Sequence, residues 1–323
     1  MTVPRREIYR ANEVGLYHCI SRCVRRAFLC GADPVSGRSF EHRRHWIRER
    51  LSFLVEIFSI ELVSYAVMMN HLHSLLRTRP DLAALWSAEE VARRWRLLFP
   101  YRWDGGRPAE PNEEELRAIA DNEELVECYR ERLSNLSWFN RCLSEHLARR
   151  ANREDECTGR FWEGRFKSQR VHETSGLLAC SVYVDLNPIR AKIASTPEDS
   201  DFTSVQDRIR ALRKPQGAVA RSSTPKLLTI EEVTKGALTT EQYLQLVDTT
   251  GRVAKEGKGK IPSEVAEILT RLKIRPENWI DITTNYRHRF KRIIGPVEAL
   301  QKAAKKFRKQ WFHGVSAARV AFC

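Results

Sequence analysis

The spacing of apolar residues predicts a β-α-β-β start to this chain. The stretch from Val14 to Val24 is apolar and predicts a strand. Between Glu41 and Phe58, apolar residues recur at helical spacing, which predicts a helix. The apolar, β-prone run from Ser64 to Leu76 predicts that paired strands follow this helix directly.

The second half of the predicted core lies far along the chain. A further strand is predicted over Phe161 to Val171, and a helix over Thr174 to Arg190 with Thr174 or Ser175 as its N-cap. This order predicts an α+β protein in which helices pack on one face of an antiparallel sheet. Further helical patterns occupy 230–235, 240–247 and 263–272.

Composition along the chain predicts two domains joined by a linker. At 323 residues the chain exceeds the usual size of one domain. We predict a first domain over 1–203, a linker over 204–228 and a basic α-helical domain over 229–323. The first domain carries a helical insertion over about 81–136, and its acidic stretch from Glu110 to Glu131 is expected to face away from any polyanion.

Charge points to a polyanionic partner. The formal net charge is +14, which favours nucleic acid or an anionic membrane. No apolar run approaches the ~20 residues that span a bilayer, and no apolar signal core follows the basic N-terminus. A cytoplasmic protein without a membrane partner is therefore expected, and its eight scattered cysteines are interpreted as small buried hydrophobes.

Four polar side chains form the most informative pattern in the sequence. His71 and His73 would lie on one face of a strand, where two imidazoles can bind one divalent ion. Tyr183 and Asn187 stand four apart on a helix and offer a phenol and an amide oxygen. Each also has a structural interpretation: packed histidines, a core tyrosine, and Asn187 as N-cap before Pro188.

The surrounding motifs resemble a known family. Tyr65-Ala-Val-Met-Met-Asn-His-Leu-His73, Gly159-Arg-Phe-Trp-Glu-Gly-Arg-Phe166 and Tyr183-Val-Asp-Leu-Asn-Pro-Ile-Arg-Ala191 resemble the single-tyrosine HUH transposases, and most closely the branch associated with repetitive extragenic palindromes. Tyr17-His-Cys-Ile-Ser-Arg-Cys23 matches the first strand of that family, so the resemblance spans roughly residues 10 to 200 in the same order.

The resemblance implies a fold and a chemistry. The fold would be a ferredoxin-like antiparallel sheet with helices, the HUH endonuclease core. Tyr183 would be the nucleophile, and His71, His73 and Asn187 would bind Mg²⁺ or Mn²⁺. The substrate would be single-stranded DNA with palindromic hairpins, which is cleaved and rejoined through a 5′-phosphotyrosine.

Basic residues near these motifs are candidates for DNA contacts. The run from Arg160 to Lys167 alternates as a half-buried strand would, which places Arg165 and Lys167 on its polar side. The other candidates are Arg22, Arg25, Arg26 and Arg190, and a second basic surface is predicted between Asp281 and Cys323. For any one of these candidate residues, a solvated surface charge is the alternative.

Other functions remain open at this level. A relaxase or replication initiator would use the same chemistry, although the single tyrosine favours a transposase. A catalytically inactive hairpin-DNA-binding regulator needs no nucleophile, and a structural RNA-binding protein would bind RNA and DNA hairpins alike. By analogy with the family, a nucleoid-associated monomer is favoured over a homodimer.

Overall fold

The structure, a computed structural model, describes residues 7–24, 28–33, 37–213, 224–256 and 261–323. It is an α+β fold around a five-stranded sheet with the order β2-β3-β1-β6-β7. All neighbouring strands in it are antiparallel except β6 and β7, which are parallel. The strands are β1 (Gly15–Arg22), β2 (Ile60–Val67), β3 (His71–Thr78), β4 (Trp103–Asp104), β5 (Arg107–Pro108), β6 (Lys167–Val171) and β7 (Ile293–Ile294), of which β4 and β5 form a separate hairpin.

Helices connect these strands and make up the C-terminal region. They are α1 (Arg43–Ile57), α2 (Pro80–Ala83), α3 (Ala88–Leu98), α4 (Glu113–Ala120), α5 (Glu123–Leu133), α6 (Leu136–Glu154), α7 (Glu173–Asp185), α8 (Asn187–Arg190), α9 (Ser204–Leu212), α10 (Ile230–Thr234), α11 (Thr240–Glu256), α12 (Ser263–Arg271), α13 (Pro276–Thr284), α14 (Tyr286–Arg289), α15 (Val297–Lys306) and α16 (Val315–Ala321). No helix within the described ranges is long and apolar enough to cross a membrane.

The predicted start of the chain is confirmed, but the predicted one-sided packing is wrong. Strands β2 and β3 are buried along almost their whole length, so both faces of the sheet must be covered. The face of the sheet that carries Leu76 packs against α1, α3 and α6. The opposite face, which carries Leu75, packs against α7 and the C-terminal helices. The sheet therefore separates two hydrophobic cores.

Strand register places the polar side chains of the candidate site on one face of the sheet. In β1, Arg22 pairs with His71 and Ile20 pairs with His73, and β6 places Gln169 opposite His18 and Lys167 opposite Ile20. Directly paired residues share a face, so His18, Arg22, His71, His73, Lys167 and Gln169 all lie on the face covered by α7.

The C-terminal region packs against this same face. The three helices predicted over 230–272 are confirmed as α10, α11 and α12, and their apolar residues share a core with α7. The short strand β7 extends the sheet beside β6, and Trp279 is fully buried, with its indole N–H donating to Thr250 at 2.8 Å. The division into two domains stays a prediction. Residues 204–212 of the predicted linker form α9, which contacts β2, and residues 214–223 lie outside the described ranges.

The acidic stretch forms α4 and α5, which pack with α3 in the core on the other face of the sheet. Ile119 and Val126 are buried there, whereas most of the carboxylates are exposed. The segment thus lies on the side of the sheet opposite His71 and His73. Its expected orientation away from DNA remains a prediction.

Two local predictions are wrong around the second half of the core. The strand predicted from Phe161 begins only at Lys167, because Trp162 forms a single bridge to Cys23 and the chain then bends at residues 163–165. The predicted helix over 174–190 is split at Leu186 into α7 and α8, and its N-cap is His172. Pro188 explains the split, since proline lacks an N–H and clashes with the preceding turn.

Candidate active site

The two histidines of β3 form the centre of the site. Their ring centroids are 4.8 Å apart. His71 Nδ1 lies 2.7 Å from the Asn70 side-chain oxygen, which can only accept a hydrogen bond. His71 therefore carries its proton on Nδ1, and its Nε2 atom retains a lone pair.

His73 has the same arrangement in a buried position. Its Nδ1 atom lies 2.8 Å from His18 Nε2, and its own Nε2 atom is buried without a hydrogen-bond partner among the described residues. Burial lowers the pKa of His71 to about 4 and the pKa of His73 well below 6.5, so both rings are neutral at pH 7. A neutral imidazole with a free Nε2 atom can bind a metal ion through that nitrogen.

His18 is a site residue that the sequence analysis did not assign. Its ring is stacked on His73 with centroids 5.1 Å apart, and burial lowers its pKa to about 3. A hydrogen bond with the Gln169 side chain opposes this shift. Gln169 in turn accepts from the Tyr286 hydroxyl at 2.5 Å and donates to the Phe290 carbonyl at 2.8 Å. A continuous chain of hydrogen bonds therefore runs from His73 to α14.

Tyr183 is brought to the histidines by α7. Its ring centroid lies 5.7 Å from that of His73 and 5.8 Å from that of His18. Only 4% of the residue is exposed, and its ring is stacked on Tyr286 with centroids 4.4 Å apart. Burial raises the pKa of Tyr183, while the charges of Arg287 and Arg190 and a hydrogen bond with Asn187 act in the opposite direction.

Asn187 is the first residue of α8, and Leu186 is the N-cap of that helix. The side-chain amide nitrogen (Nδ2) of Asn187 donates to the Tyr183 carbonyl at 2.8 Å and lies 3.5 Å from the Val184 carbonyl. It thus satisfies carbonyls at the end of α7, which Pro188 and the helix break leave without their usual partners. The side-chain oxygen is the atom that remains to serve as a ligand.

These residues could supply only a few ligands to a metal ion. Within the described part of the chain there is no group of three or more histidine, cysteine, aspartate or glutamate residues that could hold one. The unpartnered Nε2 atom of His73, the Nε2 atom of His71 and the Asn187 side-chain oxygen are nitrogen and oxygen donors of the kind that Mn²⁺ accepts. Mg²⁺ or Mn²⁺ with few protein ligands completes its shell with water or phosphate oxygens.

The predicted DNA-binding residues occupy different positions. Arg22 and Lys167 lie on exposed ends of strands on the histidine face, and Arg165 is exposed in the bend before β6. Arg190 instead donates to the carbonyls of Thr283 (3.3 Å) and Thr284, and its guanidinium lies 5.3 Å from the centre of the Tyr183 ring. Arg25 and Arg26 lie outside the described residues.

The sequence marked the basic stretch from Asp281 to Cys323 as a candidate DNA contact, but it did not place this stretch beside Tyr183. Tyr286 and Arg287 lie about a hundred residues beyond Tyr183, past the part of the chain that resembles a family. Only the tertiary packing of α13 and α14 on α7 brings them next to the predicted nucleophile.

Comparisons with known proteins give little further information. No protein-family model matches the chain, and no match was found among curated proteins. One solved structure is similar to it, a REP-associated tyrosine transposase bound to a REP hairpin, with 11% sequence identity and a TM-score of 0.40. The match covers 71% of this chain and 100% of that one.

Proposed function

We propose that this protein is a metal-dependent, single-tyrosine DNA transposase of the HUH type, which cleaves and rejoins single-stranded DNA at palindromic hairpins. The observation that carries the proposal is the position of Tyr183 against His73, with ring centroids 5.7 Å apart although the two residues come from distant parts of the chain. A folded core could bury an aromatic ring beside many residues. Here the ring lies beside imidazoles with free Nε2 atoms.

In this proposal His71, His73 and Asn187 hold Mg²⁺ or Mn²⁺. When bound, such an ion polarises a phosphodiester and stabilises the negative charge that develops on its oxygens. The protein's own contribution is to keep both imidazoles neutral by burial and oriented through their Nδ1 atoms.

The covalent step uses the phenol of Tyr183. Its oxygen forms a bond to phosphorus while the bond from phosphorus to the 3′ oxygen of the preceding nucleotide breaks. The phenol loses a proton and the departing 3′ oxygen gains one, so the products are a 5′-phosphotyrosine and a free 3′-OH. Because a phosphodiester bond is exchanged for another, a second 3′-OH can reverse the step and join two DNA strands without ATP.

Both halves of the site come from a single chain, which favours a monomer as the active form. The described residues place His71, His73 and Tyr183 together without a second subunit. We therefore expect light scattering to give a mass near 37.5 kDa. A mass twice that value would contradict a monomer.

A second candidate is an inactive protein that binds hairpin DNA and regulates expression or repeat organisation. The burial of Tyr183 beneath Tyr286 favours it, because a tyrosine that is only 4% exposed cannot contact a phosphate unless Tyr286 moves. Hairpin binding without cleavage under any metal condition would identify this candidate.

A nicking assay distinguishes the two. The purified full chain is incubated with end-labelled single-stranded hairpin DNA and Mg²⁺ or Mn²⁺, beside Tyr183→Phe. Tyr101→Phe is a matched control, since Tyr101 is 69% exposed and lies outside the site. The proposal predicts metal-dependent nicks with wild type and Tyr101→Phe, and none with Tyr183→Phe. Undiminished nicking by Tyr183→Phe would refute it.

A further inference from the structure

A cavity of about 150 Å³ lies beside the candidate site, between β1, β6 and the segment that contains α14. His18, Gln169 and Tyr286, which belong to the hydrogen-bond chain from His73, line its inner side. Three basic residues also line it, Lys167, Arg287 and Lys291, and all of them are exposed. Ile20, Ser168 and Phe290 complete the lining. Two of the three basic residues come from the C-terminal region.

The charges of these three basic residues are not neutralised. Within the described ranges, none of the three residues has an ion-pair partner, and no acidic side chain lines the cavity. Neighbouring basic residues of the same region are paired: Arg289 with Asp281 at 2.9 Å, Arg292 with Glu7 at 2.8 Å and Lys306 with Glu13 at 2.6 Å. Three like charges around a small cavity repel one another unless an anion lies between them.

The cavity adjoins the predicted nucleophile. Tyr286, directly before Arg287, is stacked on Tyr183 at 4.4 Å, and its ring centroid is 5.9 Å from that of His18. Arg190 ties the end of α13 to α8 through the Thr283 and Thr284 carbonyls. The position of Arg287 relative to the site is thereby set by packing. Its charge contributes to lowering the pKa values of His18, His71 and His73 and opposes the rise in the pKa of Tyr183, so it lies within electrostatic reach of all four.

We propose that this cavity binds a backbone phosphate of the single-stranded DNA, with Arg287 as its principal ligand and Lys167 and Lys291 as supporting charges. Arginine suits this role because its planar guanidinium can donate two hydrogen bonds to one phosphate. The C-terminal region would then position the DNA strand next to Tyr183. The identification of the anion as DNA rests on the proposed function, whereas the binding of a phosphate does not.

Binding measured without cleavage tests this inference. Fluorescence anisotropy with a labelled single-stranded hairpin oligonucleotide is performed in the Tyr183→Phe background, so that no adduct forms. Arg287→Gln is compared with Arg289→Gln, which removes a charge from the same helix that is already paired with Asp281. Circular dichroism confirms that each variant is folded.

We expect Arg287→Gln to weaken binding about tenfold and to reduce the dependence of log K on log salt concentration by about 0.7, the contribution of one phosphate contact. Arg289→Gln should stay within about twofold of its parent, and Arg287→Lys should restore part of the affinity. Equal affinities and equal salt slopes for Arg287→Gln and Arg289→Gln would overturn the proposal.

The two proposals fail in distinguishable ways. If wild type forms no adduct but Arg287→Gln still loses affinity and salt dependence, the phosphate site stands and the transposase proposal fails. If wild type forms the adduct but Arg287→Gln binds like its parent, only the phosphate site fails. An RNA hairpin of the same sequence, bound equally well and with the same dependence on Arg287, would overturn the assignment to DNA.

Discussion

His18 Nε2 lies 2.8 Å from His73 Nδ1, so one buried histidine orients another. If His73 binds a metal through Nε2, its Nδ1 atom carries the proton and donates to His18, and His18 then donates from Nδ1 to Gln169. A residue that hydrogen-bonds to a metal-binding histidine fixes the tautomer and the ring orientation of that histidine.

Loss of His18 should therefore weaken metal binding. We expect His18→Ala to reduce the affinity for Mn²⁺ about 10- to 100-fold, measured by isothermal titration calorimetry. His172→Ala, which removes a half-buried histidine outside the candidate site, is the matched control. An unchanged Kd for the folded His18→Ala protein would show that His18 only fills space.

Metal should stabilise the folded chain through His73. At a Mn²⁺ concentration about 100 times the Kd, the free energy of unfolding should rise by about 2.7 kcal/mol, because the folded state binds the ion and the unfolded state does not. Thermal unfolding with and without Mn²⁺ measures this, and His73→Ala should abolish the increase. A melting temperature of wild type that does not respond to Mn²⁺ or Mg²⁺ would contradict the ligand assignment.

Gly176 allows α7 to approach the sheet closely. A Cβ atom there would lie 3.1 Å from the Ile294 carbonyl and 3.2 Å from Gly295 Cα, both backbone atoms that cannot rotate away. In an ordinary helix, Gly to Ala stabilises by roughly 1 kcal/mol. Here we expect Gly176→Ala to reduce the free energy of unfolding by about 1–3 kcal/mol.

The control for Gly176 is a glycine with open surroundings. Gly164→Ala meets no heavy atom within 4 Å and should change the free energy of unfolding little. Urea denaturation of both variants measures the difference. A stabilised Gly176→Ala protein would mean that α7 and β7 are not in close contact.

His172 should make folding stability depend on pH. Burial, together with the charges of Arg170 and Lys306, lowers its pKa from 6.5 to about 4 in the folded chain. Between these values the unfolded state binds a proton that the folded state does not. The contribution of this histidine is thus complete above pH 6.5 and is lost as pH falls toward 4.

Removing His172 should flatten this dependence. We expect His172→Asn to reduce the slope of unfolding free energy against pH by up to about 1.4 kcal/mol per unit between pH 4 and 6.5. The exposed residue His288 provides the control His288→Asn. Denaturant titrations at several pH values measure the slopes, which should differ between the two variants.

The sequence predicted the parts of this fold that depend on local pattern. The period of two in β3 placed His71 and His73 on one face, and helical spacing located α1 and α10 to α12. The alternation from Arg160 to Lys167 was misleading, because only Trp162 forms a bridge, to Cys23, and the chain then bends at residues 163–165 before β6 begins.

The rest of the candidate site depends on contacts that local pattern does not contain. His18 joins His73 only through the pairing of β1 with β3, a register that apolar spacing cannot specify. β7 is two residues long and pairs with β6 across more than a hundred residues. Tyr286 and Arg287 reach Tyr183 through the packing that this pairing supports, so the basic stretch could be predicted from the sequence but its position beside Tyr183 could not.

The most direct test of the central claim is mass spectrometry of the protein after incubation with single-stranded hairpin DNA and Mn²⁺. The account predicts a proteolytic peptide that contains Tyr183 and carries a nucleotide joined through its 5′ phosphate, present in wild type and absent from His73→Ala and from reactions with chelator. A nucleotide attached to a different residue, or nicked DNA with no attached protein, would contradict the assignment of Tyr183 as the nucleophile.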